Sequence, residues 1–566
     1  MKGMVFAAVF AAANVLAVGG TPRWIDVLPV GARSVNPLAD GVACIFRLTP
    51  EGNPARERAQ EQVGAYKKLP GMPTGVLLQC TLGHGGWPGA STNATPWQLV
   101  DWKWKSSKGV YKFCPLDARF RDYIARQCRV LAALKPDFFM IDDDTRLEKG
   151  CFCPLHLAAY EKVKGVKSWA QFTEDTLAAY VQLIRDNFPK EIPGMFCCVN
   201  ATAQEGARLS RIAAGEGHTP CLRVGGAPYW KDGLFDMLAM RALYARERSL
   251  VADDGIALLM EADTCPHFLA RTSATRYTDF LQMVALEGYT GAKMWITPTT
   301  IEKLAVEEAS RRQYRHALER DCAAIRYLVE SAGQVTAVRA PDELGVKIVL
   351  GANPAPFGVN DWGKSCLGRH GIAYRYGKWE KGDVVAISGD EVKYFSDVEL
   401  KAFTTGPLLL DAAAAAAFAA RGMGEAIKAK NVKTASFSVH PYPQHYSMMK
   451  ALSKEGKDEV IAHLRALDGG YVPGRVYVAD YGSYHVATGF DCSGARYVFI
   501  DNLDIDIPER LTIIAPWAIE GLEELKDGCW QLAQITSESS SGNGGAVQIA
   551  GPFLPHRPRI FRKCAP

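Results

Sequence analysis

Three consecutive carboxylates, Asp142, Asp143 and Asp144, stand directly behind the apolar run Phe138-Phe139-Met140-Ile141. A fourth, Glu261, ends the run Leu258-Leu259-Met260. Acid groups at the exit of a buried strand are costly unless they are used or paired, and two in one site can divide the roles of proton donor and nucleophile. Seven residues beyond Asp144 begins Cys151-Phe152-Cys153-Pro154-Leu155-His156, three ligands for a borderline-soft metal within six residues. Cys114, in Phe113-Cys114-Pro115, offers a fourth, and a closed set of four thiolate and imidazole ligands is the signature of structural zinc. Blander readings exist for each group. The Asp triplet could cap a helix, bind Ca²⁺ or pair with Arg146; Glu261 could pair with Arg271 or Arg276. Cys151 and Cys153 could be plain buried thiols, with His156 on a helix surface.

The elements that must position these groups alternate in type. Strand-like runs fall at Trp24–Val30, Val42–Arg47, Gly75–Cys80, Phe138–Ile141, Gly194–Val199, Cys221–Gly225, Ala257–Glu261 and Ala292–Ile296. Helical patterns lie between them, at 54–69, 116–134, 154–187, 234–251, 273–287 and 301–330. Eight strands joined by helical crossovers predict a (β/α)8 TIM barrel over 21–333. Counting then puts the Asp cluster at the end of the fourth strand and Glu261 at the end of the seventh, on the face where such barrels carry their chemistry. Strand alternation points Asp142 and Asp144 one way and Asp143 the other. Two carboxylates converging across a barrel mouth suit glycosidic bond hydrolysis.

Residues 334–435 predict a smaller α/β domain, with strand-like runs at Lys347–Leu350, Asp383–Ile387 and Pro407–Leu410 and an alanine-rich helix at Asp411–Arg421. Short alternating runs over 436–566 predict a β-rich terminal domain. At 566 residues the chain is too long for one core, and 48% hydrophobic with 22% charged residues is an ordinary globular composition. A net charge of +4 over this length gives no nucleic-acid footprint. Residues 4–18 form an apolar run suited to a signal-peptide core and too short to span a bilayer, so residues 1–20 read as a signal peptide and the protein as periplasmic or secreted if that segment is cleaved, otherwise cytoplasmic. No membrane span is expected. The 15 cysteines, odd in number and scattered through strand-like runs, suggest buried thiols and a metal site more than a disulfide framework.

Cys114-Pro115, a helix with Arg119 and Arg121, a strand with acids at its exit, then Cys151-Phe-Cys153-Pro-Leu-His156-Leu-Ala-Ala-Tyr160 together resemble glycoside hydrolase family 42, of β-galactosidase type. The resemblance implies a retaining glycosidase releasing a terminal β-linked sugar. It places Asp144 at the family's acid/base, Asp143 at its neighbouring amide, and Glu261 at its nucleophile. It also implies structural Zn²⁺ on Cys114, Cys151, Cys153 and His156, a barrel followed by a flavodoxin-like domain and a small β-domain, and a homotrimer formed through the middle domain. The sequence departs from the family where an Asn-Glu pair has become Asp143-Asp144, and where His156 replaces a cysteine. Asp142, Asp143, Asn200, Trp230, Asp263 and Trp295 are the candidate substrate-binding residues, with His84, Trp87 and His267 also placed at the mouth. The substrate expected is an oligosaccharide or glycoside. The alternatives are an inverting hydrolase using an Asp of the triplet as base, a non-catalytic carbohydrate-binding relative, and a catalytic metal on the triplet with His84.

Overall fold

Glycine marks the places where the barrel strands pass closest to their neighbours. The computed structural model describes residues 21–27, 35–48, 56–79, 82, 114–142, 145, 147, 151–198, 203–225, 234–251, 255–263, 273–295, 304–335, 345–352, 354–355, 359–440, 446–468, 476–491, 493–504, 506–515, 521–541 and 544–563. Its first eight strands are β1 (Trp24–Val27), β2 (Gly41–Arg47), β3 (Thr74–Gln79), β4 (Phe138–Ile141), β5 (Gly194–Cys198), β6 (Cys221–Val224), β7 (Ala257–Asp263) and β8 (Gly291–Trp295). All pair in parallel with their neighbours in chain order, and β8 pairs with β1 to close the ring. At that seam the Ala292 amide donates to the Arg23 carbonyl at 2.9 Å. A Cβ on Gly291 would lie 2.0 Å from that same carbonyl oxygen, and one on Gly194 2.2 Å from the Ala213 oxygen.

The barrel is the expected (β/α)8 fold, and every predicted strand is present within a few residues. The helices follow less closely. The single helix expected over 154–187 is two, Pro154–Glu161 and Trp169–Asp186. Gly165 adopts φ +97° between them, and Ser168 starts the second helix with a capping box to Gln171. A helix at Ala203–Ala214 follows β5 where none was expected.

Contacts divide the chain into two compact units. The first holds β1–β8 and the helices up to Ala214. The second holds the helices Leu234–Leu250 and Ala274–Leu286, most of Leu304–Val335, and all that follows. Inside the barrel, Ile25, Val27, Ala43, Leu77, Phe138, Met140, Met195, Cys197, Cys221 and Leu259 form one apolar core.

In the second unit, β9 (Val346–Val349), β10 (Tyr374–Gly377), β11 (Val385–Ile387), β12 (Leu408–Leu410) and β13 (Val432–Thr434) form a parallel sheet in the order β10-β9-β11-β12-β13, the flavodoxin-like arrangement. Val346, Ile348, Ala386 and Leu409 pack on one face; Val349, Val385, Ile387, Leu408 and Leu410 pack on the other. The first of these faces is covered by Ala242 and Ala245 of Leu234–Leu250 and by Val460 and Leu464 of a helix at Lys454–Leu467. Among the described residues, the stretch from 436 therefore opens on helices belonging to the core of the parallel sheet, and its first strand is at Tyr477. The alanine run is the helix Ala412–Phe418, started by Asp411, whose carboxylate accepts from the amides of Ala414, Gly389 and Val439.

The terminal strands are β14 (Tyr477–Val478), β15 (Tyr484–Phe490), β16 (Arg496–Asn502), β17 (Arg510–Ala515), β18 (Leu522–Lys526), β19 (Cys529–Leu532), β20 (Ile535–Ser541), β21 (Gly544–Ala550) and β22 (Arg559–Lys563). They make two antiparallel sheets, β14-β17-β21-β20 and β15-β16-β22-β18-β19, around one apolar core. Among the described residues no helix is long and apolar enough to cross a membrane. Residues 1–20, on which export rests, lie outside the described residues.

Gly291→Ala tests the closure of the barrel. The backbone carbonyl it meets cannot move without breaking the β8–β1 pairing, so the variant should lose about 1–3 kcal/mol or more of stability in urea or thermal unfolding.

Candidate active site

In a parallel barrel the side chains of alternate residues enter the interior, so each strand places its last inward residue at the carboxyl-end mouth. Leu77 leads to Gln79, Met140 to Asp142, Cys221 to Arg223, Leu259 to Glu261 and Asp263, and Gly291 to Lys293 and Trp295. The lower residues of these series are apolar, and the upper ones are charged or polar.

The upper layer is an ion network. Arg223, fully buried, places Nη2 3.0 Å from Asp142 Oδ1 and Nη1 2.9 Å from Glu261 Oε2. One guanidinium thus holds carboxylates from β4 and β7. Gln79 Nε2 donates to the other oxygen of Asp142 at 3.2 Å. Lys293 Nζ lies 2.7 Å from Asp263 Oδ2 and 4.0 Å from Glu261 Oε1. The same ammonium stands 5.5 Å from the Trp295 ring centroid. Burial alone would favour the neutral amine of Lys293, but Asp263, Asp142 and Glu261 outweigh it and lift its pKa. Burial pushes the Asp263 carboxyl up to about 6; Lys293 works against this and Glu261 adds to it. Lys293 and Asp263 thus form a buried ion-pair contact between β8 and β7. Glu261 faces two cations, Arg223 and Lys293.

Of the candidate site residues, Asp142, Glu261, Asp263 and Trp295 come together in this layer. Asp143, Asp144, Asn200, Trp230, His84, Trp87 and His267 lie outside the described residues. Glu261 pairs with Arg223 and Lys293; of the partners considered from sequence, Arg271 lies outside the described residues and Arg276 has Nη2 3.5 Å from His556 Nε2. The sequence reading passed over Arg223, Lys293 and Gln79. The signal for the two cations was a lone positive charge inside an otherwise apolar strand, Cys221-Leu-Arg223-Val and Gly291-Ala-Lys293-Met.

The cysteine cluster is a separate site. Cys114, Cys151 and His156 bring their ligand atoms within 4.8 Å of one another, with Cys114 Sγ 3.7 Å from His156 Nδ1. Cys153 caps the helix Pro154–Glu161, its Sγ accepting from the His156 amide at 3.4 Å, and it is in hydrogen-bonding contact with Cys114 and Cys151. His156 is fully buried, its ring edge-on to Phe172 and Trp169 at 5.1 and 5.8 Å. Hydrogen bonds from Cys114 and Cys151 pull the Cys153 thiol far down, while contact with Cys114 and Cys153 pushes Cys151 up. Without a cation one thiolate suppresses ionisation of its neighbours. Cys114, Cys151 and His156 thus offer two sulfurs and one imidazole nitrogen close together, a donor set of the kind that binds zinc, with the Cys153 thiol beside them.

No family model matches the chain. No curated protein matches it either. Among solved structures, a rhamnosidase from Novosphingobium sp. PP1Y aligns over 81% of this chain and 49% of its own, at 11% identity and TM-score 0.38. This chain spans about half the length of that rhamnosidase. The glycoside hydrolase domain of PelA from Pseudomonas aeruginosa aligns over 50% of this chain and 98% of its own, at 11% identity and TM-score 0.31. A putative dihydrodipicolinate synthetase from Pseudomonas aeruginosa also matches, over 52% of this chain and 75% of its own, at 10% identity and TM-score 0.22. Likeness at this level carries no argument about chemistry, which rests on the residues of the site.

Arg223→Met leaves Asp142 and Glu261 buried with their shared cation gone. The expected loss is about 3–5 kcal/mol in equilibrium unfolding, well beyond what the removed packing alone would cost.

Proposed function

We propose that this protein is a glycoside hydrolase acting on an oligosaccharide or glycoside substrate at the carboxyl end of its barrel. The observation that carries the reading is the bridging of Asp142 and Glu261 by one buried guanidinium, which joins the exits of β4 and β7 in a single site. In the proposed reaction Glu261, held as carboxylate by Arg223 and Lys293, attacks the anomeric carbon. Asp144 protonates the leaving oxygen and then deprotonates the incoming water, giving retention and release of a terminal β-linked sugar. Asp143 and Asp142 hold the substrate or orient Asp144. Asp263 keeps Lys293 in place, and Trp295 offers an aromatic face for a sugar ring. A homotrimer through the flavodoxin-like domain belongs to the same proposal.

A second reading, carbohydrate binding without turnover, has one observation in its favour. Glu261 is only 4% exposed and already bound to cations, as a residue of a purely structural network would be. A panel of aryl glycosides decides between the two. The hydrolase reading expects turnover of at least one β-glycoside by the wild type and a fall in kcat on the order of 10³-fold or more in Glu261→Gln with its fold retained. Full activity in that variant would show the nucleophile assignment to be wrong. Sugar binding by a wild type that hydrolyses none of the panel would favour the second reading.

We propose further that Cys114, Cys151, Cys153 and His156 hold a structural zinc ion. The donor set fits it: zinc stabilises all three thiolates at once and takes Nδ1 of His156, so the clip would rigidify the segment just beyond the Asp triplet. Metal analysis should find this zinc in wild-type protein after dialysis. Cys114→Ser should lose it and unfold at lower temperature.

A further inference from the structure

Along β16 the side chains alternate between two environments. Val498 and Ile500 enter the core between the terminal sheets, while Tyr497, Phe499 and Asp501 face the other way. An outer face of this kind normally meets water. Here helices cover it. Tyr327, on Leu304–Val335, packs against Tyr497 and Trp530 at 5.9 and 5.0 Å, and Asp279, on Ala274–Leu286, comes up against Asp501.

Asp279 and Asp501 are both fully buried. His556 joins them from the turn before β22, where its amide donates to the Asn502 carbonyl at 2.9 Å and its backbone sits at φ +53°. Its Nδ1 lies 2.9 Å from Asp279 Oδ2. The ligand atoms of Asp279, Asp501 and His556 all fall within 4.8 Å of one another. Neither oxygen of Asp501 meets a donor N–H or hydroxyl, nor does Asp279 Oδ1, and the two carboxyls face each other. His485, directly opposite Asp501 on β15, is also fully buried, with both ring nitrogens unpartnered.

Two carboxylates facing each other away from water, with one imidazole between two chain segments, are among the costliest groups to bury. A divalent cation would accept several of these lone pairs at once; the nearby Arg276 guanidinium lies 3.5 Å from His556 Nε2. Two carboxylate oxygens and one imidazole nitrogen suit a divalent first-row cation, and differ from the sulfur-rich cluster of the barrel, which selects softer binding. We propose that Asp279, Asp501 and His556 form a binding site for a divalent cation of the Mn²⁺ and Zn²⁺ class, tying helix Ala274–Leu286 to β16 and to the turn at His556. Binding leaves His556 neutral with Nδ1 on the metal, and any proton held at Nδ1 or between the carboxyls is released to solvent.

The test uses full-length protein stripped by chelation and titrated with Mn²⁺, free Mn²⁺ being read by electron paramagnetic resonance. Wild type and Cys114→Ser should each take up one equivalent. Asp501→Asn should take up none, and His556→Gln, altered at the most exposed ligand and so the least prone to misfold, should bind at least about tenfold more weakly. Thermal unfolding gives a second readout. In chelator Asp501→Asn should be at least as stable as wild type, because the facing carboxylates are relieved; with Mn²⁺ the order should reverse. Equal Mn²⁺ uptake by wild type, Asp501→Asn and His556→Gln would overturn the proposal. So would a wild type that takes up neither Mn²⁺ nor Zn²⁺ at this site, which would leave a proton shared between two carboxyls.

Discussion

Arg223 is the charge on which the barrel mouth depends. A fully buried guanidinium is tolerable only when its donors are met, and here the acceptors come from two strands that are not neighbours in the sheet. Asp142 and Glu261 gain a cation, and Arg223 gains the counter-charge that replaces water. Lys293 and Asp263 extend the same balance to β8, so five ionisable groups stay in a region that would otherwise expel them. Such a network also sets two cations beside Glu261 as part of the fold. That is the sense in which electrostatics at a site can be organised in advance.

The barrel interior separates its two tasks by depth. Apolar residues from alternate positions fill the lower layers and stabilise the ring, and the next inward positions of the same strands carry the charges. No extra element is needed to build the site, because one strand periodicity supplies both. Small residues complete the arrangement. At Gly291 the Arg23 backbone beside β1, and at Gly194 the helix backbone at Ala213, comes so close that no side chain fits.

In the second unit the same alternation has a different outcome. β16 turns Val498 and Ile500 toward the sandwich core and Tyr497, Phe499 and Asp501 outward. Helices cover the outward face, and Asp501 and His485 become as buried as the core itself. The outward Tyr497 and Phe499 fit a covered face, but the covering residues Tyr327 and Asp279 come from more than 150 positions earlier in the chain. The proposed cation site exists only through that long-range contact.

Much of the architecture was legible in the sequence. The eight barrel strands are short apolar runs bounded by Gly and polar residues, and their period and count led to the closed parallel ring. The place of Asp142 and Glu261 at the ends of β4 and β7 followed from counting alone. The helix break at Gly165 and Ser168 was carried by residues that favour it, but a continuous amphipathic pattern on either side concealed it. The strands Tyr374–Gly377 and Val432–Thr434 escaped notice because they are short and half polar, and only pairing with β9 and β12 makes them strands. The sequence by itself determined which residue types end each barrel strand and which face of the strand they share, because alternation is a local property of the backbone. Tertiary structure alone decided that Arg223 would meet both Asp142 and Glu261, and that Asp279, Asp501 and His556 would meet each other. A charge finds its partner by distance in space, and that distance is set only when remote segments of the chain have packed.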